Sequence, residues 1–150
     1  MKLRTFVVFK TNFPDVETWK ESGDLLRGPG SKTASILVEM LKHAGFEVSK
    51  PCERDYYGWE FSVSGGISFV IQGGGEEAKE GEESLLLLSD ASYFRSLFAA
   101  KKTERFHRSV LEKVNGFLNR DGRFHAIRWF TKEDYWSNKS SDSSAGHSEP

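Results

Sequence analysis

Hydrophobic residues recur along this chain with two different periods, and the period predicts the element. Thr5-Phe6-Val7-Val8-Phe9 is β-branched and aromatic and stops at Lys10-Thr11-Asn12, the pattern of a first strand. Residues 11–30 show no sustained period. Pro14 with Asp15 and Glu17 behind it marks a helix start, anchored for a turn or two by Val16 and Trp19, before Gly23, Gly28, Pro29 and Gly30 break the chain. Ala34, Leu37, Val38, Leu41 and Ala44 then recur at helical spacing, with Ser31 as N-cap and Gly45 placed to end the helix in αL.

Phe46 to Ser49 alternates and stops at Pro51, a short strand. Gly58 to Val63 and Ile67 to Gln72 flank Ser64-Gly65-Gly66, a hairpin whose register can be deduced. A two-residue turn would set Val63 against Ser68 and mix the faces. A three-residue loop instead opposes Val63 to Ile67, Phe61 to Phe69 and Trp59 to Ile71 on one face, leaving Ser62 opposite Ser68 and Glu60 opposite Val70 on the other. Gly73 to Glu83 holds four glycines and five glutamates and reads as a mobile acidic connection. Leu85 to Leu88 is apolar on both faces and belongs inside the sheet. Ser89-Asp90 caps a helix bearing Tyr93, Phe94, Leu97 and Phe98. Thr103 caps a second, 103–119, whose stripe is Phe106, Val110, Leu111, Val114, Phe117 and Leu118. Asp121-Gly122 turns into a last strand, Arg123 to Phe130, with either face available to the core.

The order strand, helix, four strands, two helices, strand (β-α-β-β-β-β-α-α-β), with tight connections in the middle, predicts an α+β two-layer sandwich: a mainly antiparallel sheet with helices on one face. Residues 1–136 form one domain. Residues 137–150, with six serines and no large apolar side chain, are expected to be a disordered tail that stability does not need.

Composition adds limits. At 37% hydrophobic and 13% aromatic residues, the 150-residue chain can build one core. Its longest apolar runs, such as Phe6 to Phe9, are four residues, against about 20 for a membrane span. Lys10 interrupts the first run too early for a signal peptide, and Cys52 is the sole cysteine. These features point to a cytoplasmic protein with no disulfide.

Charge is segregated beneath a net of −1. Residues 1–94 hold 10 basic and 15 acidic side chains, residues 95–132 hold 10 and 3, and residues 133–150 hold 1 and 4. On the helix 103–119 and just before it, Lys101, Lys102, Arg105, Arg108 and Lys113 project away from the apolar stripe, a surface for a protein partner with an acidic surface. The same bases could hold a nucleic-acid backbone, but no recognisable nucleic-acid module accompanies them.

Catalytic signals are weak. Gly28-Pro29-Gly30-Ser31-Lys32-Thr33 resembles a phosphate loop but has Ser31 and Leu26 where that pattern needs glycine. Cys52 and the four histidines lack metal-ligand spacing, so neither metal nor cofactor is expected. The enzyme alternative is Glu60 with His125 or His107 at the sheet face. Tyr56, Tyr57, Trp19, Tyr135 and Trp136 lie in loops or at strand ends, where aromatics anchor interfaces. The expectation is a small non-catalytic protein-binding module of the inhibitor, immunity-protein or adaptor type.

Overall fold

The central hairpin adopts the three-residue register: Val63 pairs with Ile67, Phe61 with Phe69 and Trp59 with Ile71. Gly65 and Gly66 take φ of 116° and 93° in its turn, a region that glycine enters without steric cost. A Cβ on Gly65 would also lie 2.4 Å from the Phe106 ring. Around this hairpin a computed structural model describes residues 2–13, 18–19, 21, 25–27, 30–54, 58–73, 83–91, 97–137 and 146–150. The elements are β1 (Phe6–Thr11), β2 (Thr18–Trp19), β3 (Leu25–Arg27), α1 (Ser31–His43), β4 (Cys52–Arg54), β5 (Gly58–Val63), β6 (Ile67–Gly73), β7 (Glu83–Ala91), α2 (Leu97–Arg120), β8 (Phe124–Phe130) and α3 (Lys132–Trp136). One antiparallel sheet runs in the order β4-β5-β6-β7-β1-β8, and β2 pairs with β3 separately. The protein is α+β, and β7 lies inside the sheet as its double-sided apolarity requires.

The two long helices bury one face. Val7, Phe9, Phe61, Phe69, Leu85 and Leu87 from the sheet meet Ala34, Leu37 and Leu41 of α1 and Val110, Leu111 and Val114 of α2 in one cluster. The other face carries a small satellite, Phe6 and Phe130 with Val8, Leu88 and Tyr135. The short α3 caps it, with the Tyr135 ring tilted at 60° to Phe6 and 5.3 Å from it.

Several local expectations change. Gly30, at φ 101°, is the N-cap of α1 rather than Ser31; a Cβ there would meet Ile71 Cγ2 at 2.7 Å, so glycine lets this helix end approach β6. Gly45 sits at φ 94°, ending the helix in αL as expected, and the C-terminus is a Schellman motif: Phe46 N donates to Leu41 O and Gly45 N to Lys42 O. Instead of helical turns after Pro14, residues 18–19 and 25–27 are the β2–β3 ladder; residues 14–17 lie outside the described residues. The short strand falls at 52–54, while Val48 makes only an isolated bridge to Val63. The helix expected to start at Thr103 already runs from Leu97, because Ala99-Ala100-Lys101-Lys102 are strong helix formers and Thr103 caps nothing; Ser89 and Asp90, expected to cap a preceding helix, lie in β7, and Tyr93 and Phe94 lie outside the described residues.

The last strand contains a bulge that decides its faces. Lys10 opposes His125 but Val8 opposes Arg128, one residue more on β8, and Ala126 holds φ 52° there. Phe124, Ile127 and Trp129 thereby face the main core, and Phe130 faces the satellite. The tail is also corrected in part. Residues 146–150 dock beside β8, with His147 bridged to Trp129, while 138–145 lie outside the described residues.

Candidate functional site

The strand registers align one residue from each strand in a row across the open face: Cys52, Glu60, Val70, Leu88, Phe6 and Phe130. Beside it Ser62, Ser68 and Asp90 form a polar row. Much of this face is the floor of a groove of about 800 Å³, with Glu60 at one side and Val70, Leu88 and Phe6 along the bottom. Lys2, Leu3 and Thr5 of the N-terminal segment and Lys132, Glu133 and Trp136 of α3 form the walls. Lys2 Nζ and Glu133 Oε1, 2.7 Å apart, join the two walls. This contact holds the Glu133 carboxyl below its ordinary pKa. Trp136 stands at the rim, 62% exposed, the one large hydrophobic side chain so exposed among the described residues.

The groove continues around the sheet end to Thr103, Glu104 and His107 of α2. His107 and Ser89 are both buried, and Ser89 Oγ lies 2.7 Å from His107 Nε2. Ser89 Oγ also donates to Thr5 O at 3.1 Å, and Ser89 N donates to the same oxygen at 3.0 Å. With the hydroxyl hydrogen on Thr5 O, the network assigns the Nε2 hydrogen to the Ser89 oxygen. Burial pushes the His107 pKa down, against the opposing pull of Asp90 and Glu104, so the ring is neutral near pH 7. In this tautomer the pair is a latch joining α2, β7 and the segment before β1. Serine activation would need the reverse tautomer, with the hydroxyl donating to Nε2.

The sequence-derived candidates are distributed unevenly. Glu60 lies in the groove, with Oε2 2.7 Å from Arg54 Nε. His125 sits on β8, four strands from Glu60 and so about 19 Å away by strand spacing; the two do not converge. His107 does share the groove with Glu60. Lys101, Lys102, Arg105 and Lys113 are exposed and Arg108 half-buried on α2. At about 100° per residue they span one arc of about 140°, with Arg105 between its two ends. Lys101 and Arg108 lie on the flank of the groove-lining Glu104, whose Oε1 is 3.7 Å from Arg108 Nη2. Lys102 and Lys113 lie on the flank of Phe106. Trp19 is in β2, and Tyr56 and Tyr57 lie outside the described residues. Cys52 is exposed on the edge strand β4, and the described residues contain no His, Cys, Asp and Glu group able to hold a metal.

Sequence reasoning missed Phe6, Leu88 and Ser89 as site residues. Alternation signalled Phe6, but the second face of β1 could not be known to stay uncovered. Compared with protein-family models, curated proteins and solved structures, the chain matches none. No helix among the described residues is long and apolar enough to cross a membrane.

Proposed function

We propose that the protein is a small non-catalytic protein-binding module, of the inhibitor, immunity-protein or adaptor kind, that seats a partner against the open face of its sheet. The observation carrying this reading is the groove of about 800 Å³, in which an apolar floor of Val70, Leu88 and Phe6 lies beside an exposed Trp136. A water-exposed indole next to an apolar floor and a charged rim is the composition of an interface anchor. Lys2 and Lys132 on the walls, with Lys101 and Arg108 on the adjoining flank of α2, suit a partner whose acidic residues surround an apolar knob. The lone exposed Cys52 fits a reducing, cytoplasmic setting.

A photo-cross-linking residue at position 136, with a control at 113 on the far flank of α2, tests this in extract from the native cell. The reading expects one protein cross-linked from 136 and not from 113, with the product lost on Val70→Lys. Cross-linking from 113 alone would move the interface off the groove, and none from either position would end the proposal.

A catalytic reading has one observation in its favour: Glu60 and a pKa-shifted His107 share the groove, with Ser89 Oγ within hydrogen-bond reach. A fluorophosphonate probe, which labels activated serines, separates the two. The binding-module reading expects no label on Ser89; stoichiometric labelling abolished by His107→Gln would replace it by a serine hydrolase.

A further inference from the structure

A strand at the margin of a sheet presents unpaired backbone groups that invite another strand, and here the margin of β8 is taken by the chain's own end. Trp129 N donates to His147 O at 2.8 Å and His147 N donates to Trp129 O at 3.0 Å, the reciprocal pair of an antiparallel ladder. Three further features fit the segment to this place. Asn115 of α2 accepts the Trp129 indole N–H on Oδ1 at 2.8 Å and donates from Nδ2 to Ser148 O at 3.3 Å. Asn119 donates to the same Oδ1 at 2.9 Å, which fixes the orientation of the Asn115 amide. Arg4 Nη1 donates to Glu149 O at 3.2 Å. Gly146 enters at φ 103°, where a Cβ would lie 2.8 Å from Cβ of Arg128 and 2.9 Å from the Phe130 ring.

These contacts recognise main chain: every acceptor taken from the segment is a carbonyl. His147, Ser148 and Glu149 remain exposed, so little apolar burial holds the segment down. Main-chain pairing with few side-chain demands is how sheets capture extended peptides in trans.

We propose that the β8 edge is a strand-receiving site whose resting occupant is residues 146–150, and that its ligand in trans is an extended peptide segment of the same chemistry: a glycine at positive φ followed by small or polar residues. The tethered segment is an internal competitor with an effective concentration on the order of millimolar. A partner strand binds only by exceeding it, or when the tail is drawn off. This adds a second surface to the protein-binding reading and rests on it only for the existence of a partner.

The test uses the full chain and a labelled, N-acetylated peptide of residues 145–150. Gly146→Val alters only the tail, so it removes the occupant and leaves the receiving edge intact. Two results are expected. Amide exchange at Trp129 rises at least tenfold in Gly146→Val, and the peptide binds that variant at least about tenfold more tightly than the wild type, as loss of an internal competitor requires. Adding Asn115→Asp, which still accepts from the Trp129 indole but cannot donate to a peptide carbonyl, must weaken this binding. Unchanged Trp129 exchange, equal or absent peptide binding to both proteins, or binding indifferent to Asn115→Asp would each overturn the proposal. Because probe and readout belong to β8, the result does not depend on whether position 136 cross-links a partner.

Discussion

The contact between Ser89 and His107 predicts an asymmetry in which one substitution is worse than two. Both residues are about 95% buried, at 5% and 4% exposure. Ser89→Ala removes the oxygen that accepts the His107 Nε2 hydrogen and leaves a buried donor without its acceptor, a loss of about 1–3 kcal/mol. His107→Leu leaves Ser89 Oγ bonded to Thr5 O and places an apolar side chain of similar volume in the stripe of Val110, Leu111 and Val114, costing about 1.5 kcal/mol or less. The double variant should therefore regain most of what Ser89→Ala lost, a coupling of about 1–2 kcal/mol. A pH signature accompanies it. His107 titrates below its ordinary 6.5 in the folded state, chiefly through burial. Above 6.5 the ring is neutral whether the chain is folded or not, and contributes nothing to pH dependence. As pH falls from 6.5 towards the folded value, the unfolded chain takes up a proton that the folded one refuses, so stability falls; below that value both are protonated and the loss is constant. Urea unfolding followed by tryptophan fluorescence at about pH 8 and about pH 5 measures this, and His107→Leu should lose less stability than wild type between the two. A neutral Ser89→Ala at pH 8, or the full wild-type pH dependence in His107→Leu, would refute the latch.

Phe61→Ala should cost about 3–5 kcal/mol in denaturant unfolding, since the ring is 2% exposed and stacked on Phe69 at 5.1 Å; a near-neutral result would mean that this face is not the core. Arg105→Glu with Arg108→Glu should change stability by less than about 1 kcal/mol, because Arg105 is exposed and the Arg108–Glu104 pair is a loose surface contact. The same reversal should slow association with an acidic partner and flatten its salt dependence; steep, sequence-indifferent salt dependence on nucleic acid by the wild type would instead favour nucleic-acid binding. Ending the chain at 145 should lower the melting temperature by roughly 2–8 °C, the equivalent of about 1–2 kcal/mol in a domain of this size, and an unchanged transition would show that the bonds to Trp129 and Asn115 add nothing.

Local chemistry made part of this fold legible. The hairpin register followed from which pairing keeps Phe61, Phe69 and Ile71 on one side, and α1 from its apolar spacing and Gly45. Long-range features were not legible. Ser89 and His107 each satisfy ordinary local patterns, and nothing in the spacing shows that α2 carries the histidine back to the end of β7. Alternation placed Glu60 on the face opposite Phe61 and Phe69, but its convergence with His125 failed because strand order, not sequence, sets their separation. The bulge at Ala126 was hidden because alanine gives no sign of positive φ, whereas glycine would have. α3 was overlooked although its signal is local: Thr131 caps it by accepting from Asp134 N, with Glu133 and Asp134 in the first turn. The docking of residues 146–150 was not legible because it uses main-chain groups, to which composition is blind.

The position of β1 governs how the chain must assemble. Its neighbours in the sheet are β7 and β8, so Phe6 finds Leu88 on one side and Phe130 on the other. Both partners are synthesised long after it. While the ribosome is still making the hairpin and α2, Phe6 to Phe9 has neither flank paired and none of the α2 cover its final place provides. Contacts between such distant segments form slowly, since the intervening chain must be closed first. The interval before β8 arrives is when this protein is most exposed to aggregation and most in need of a chaperone. Moving β1 by circular permutation to follow residue 150 would remove that interval and should raise the yield of folded protein on synthesis while keeping the strand order of the finished sheet.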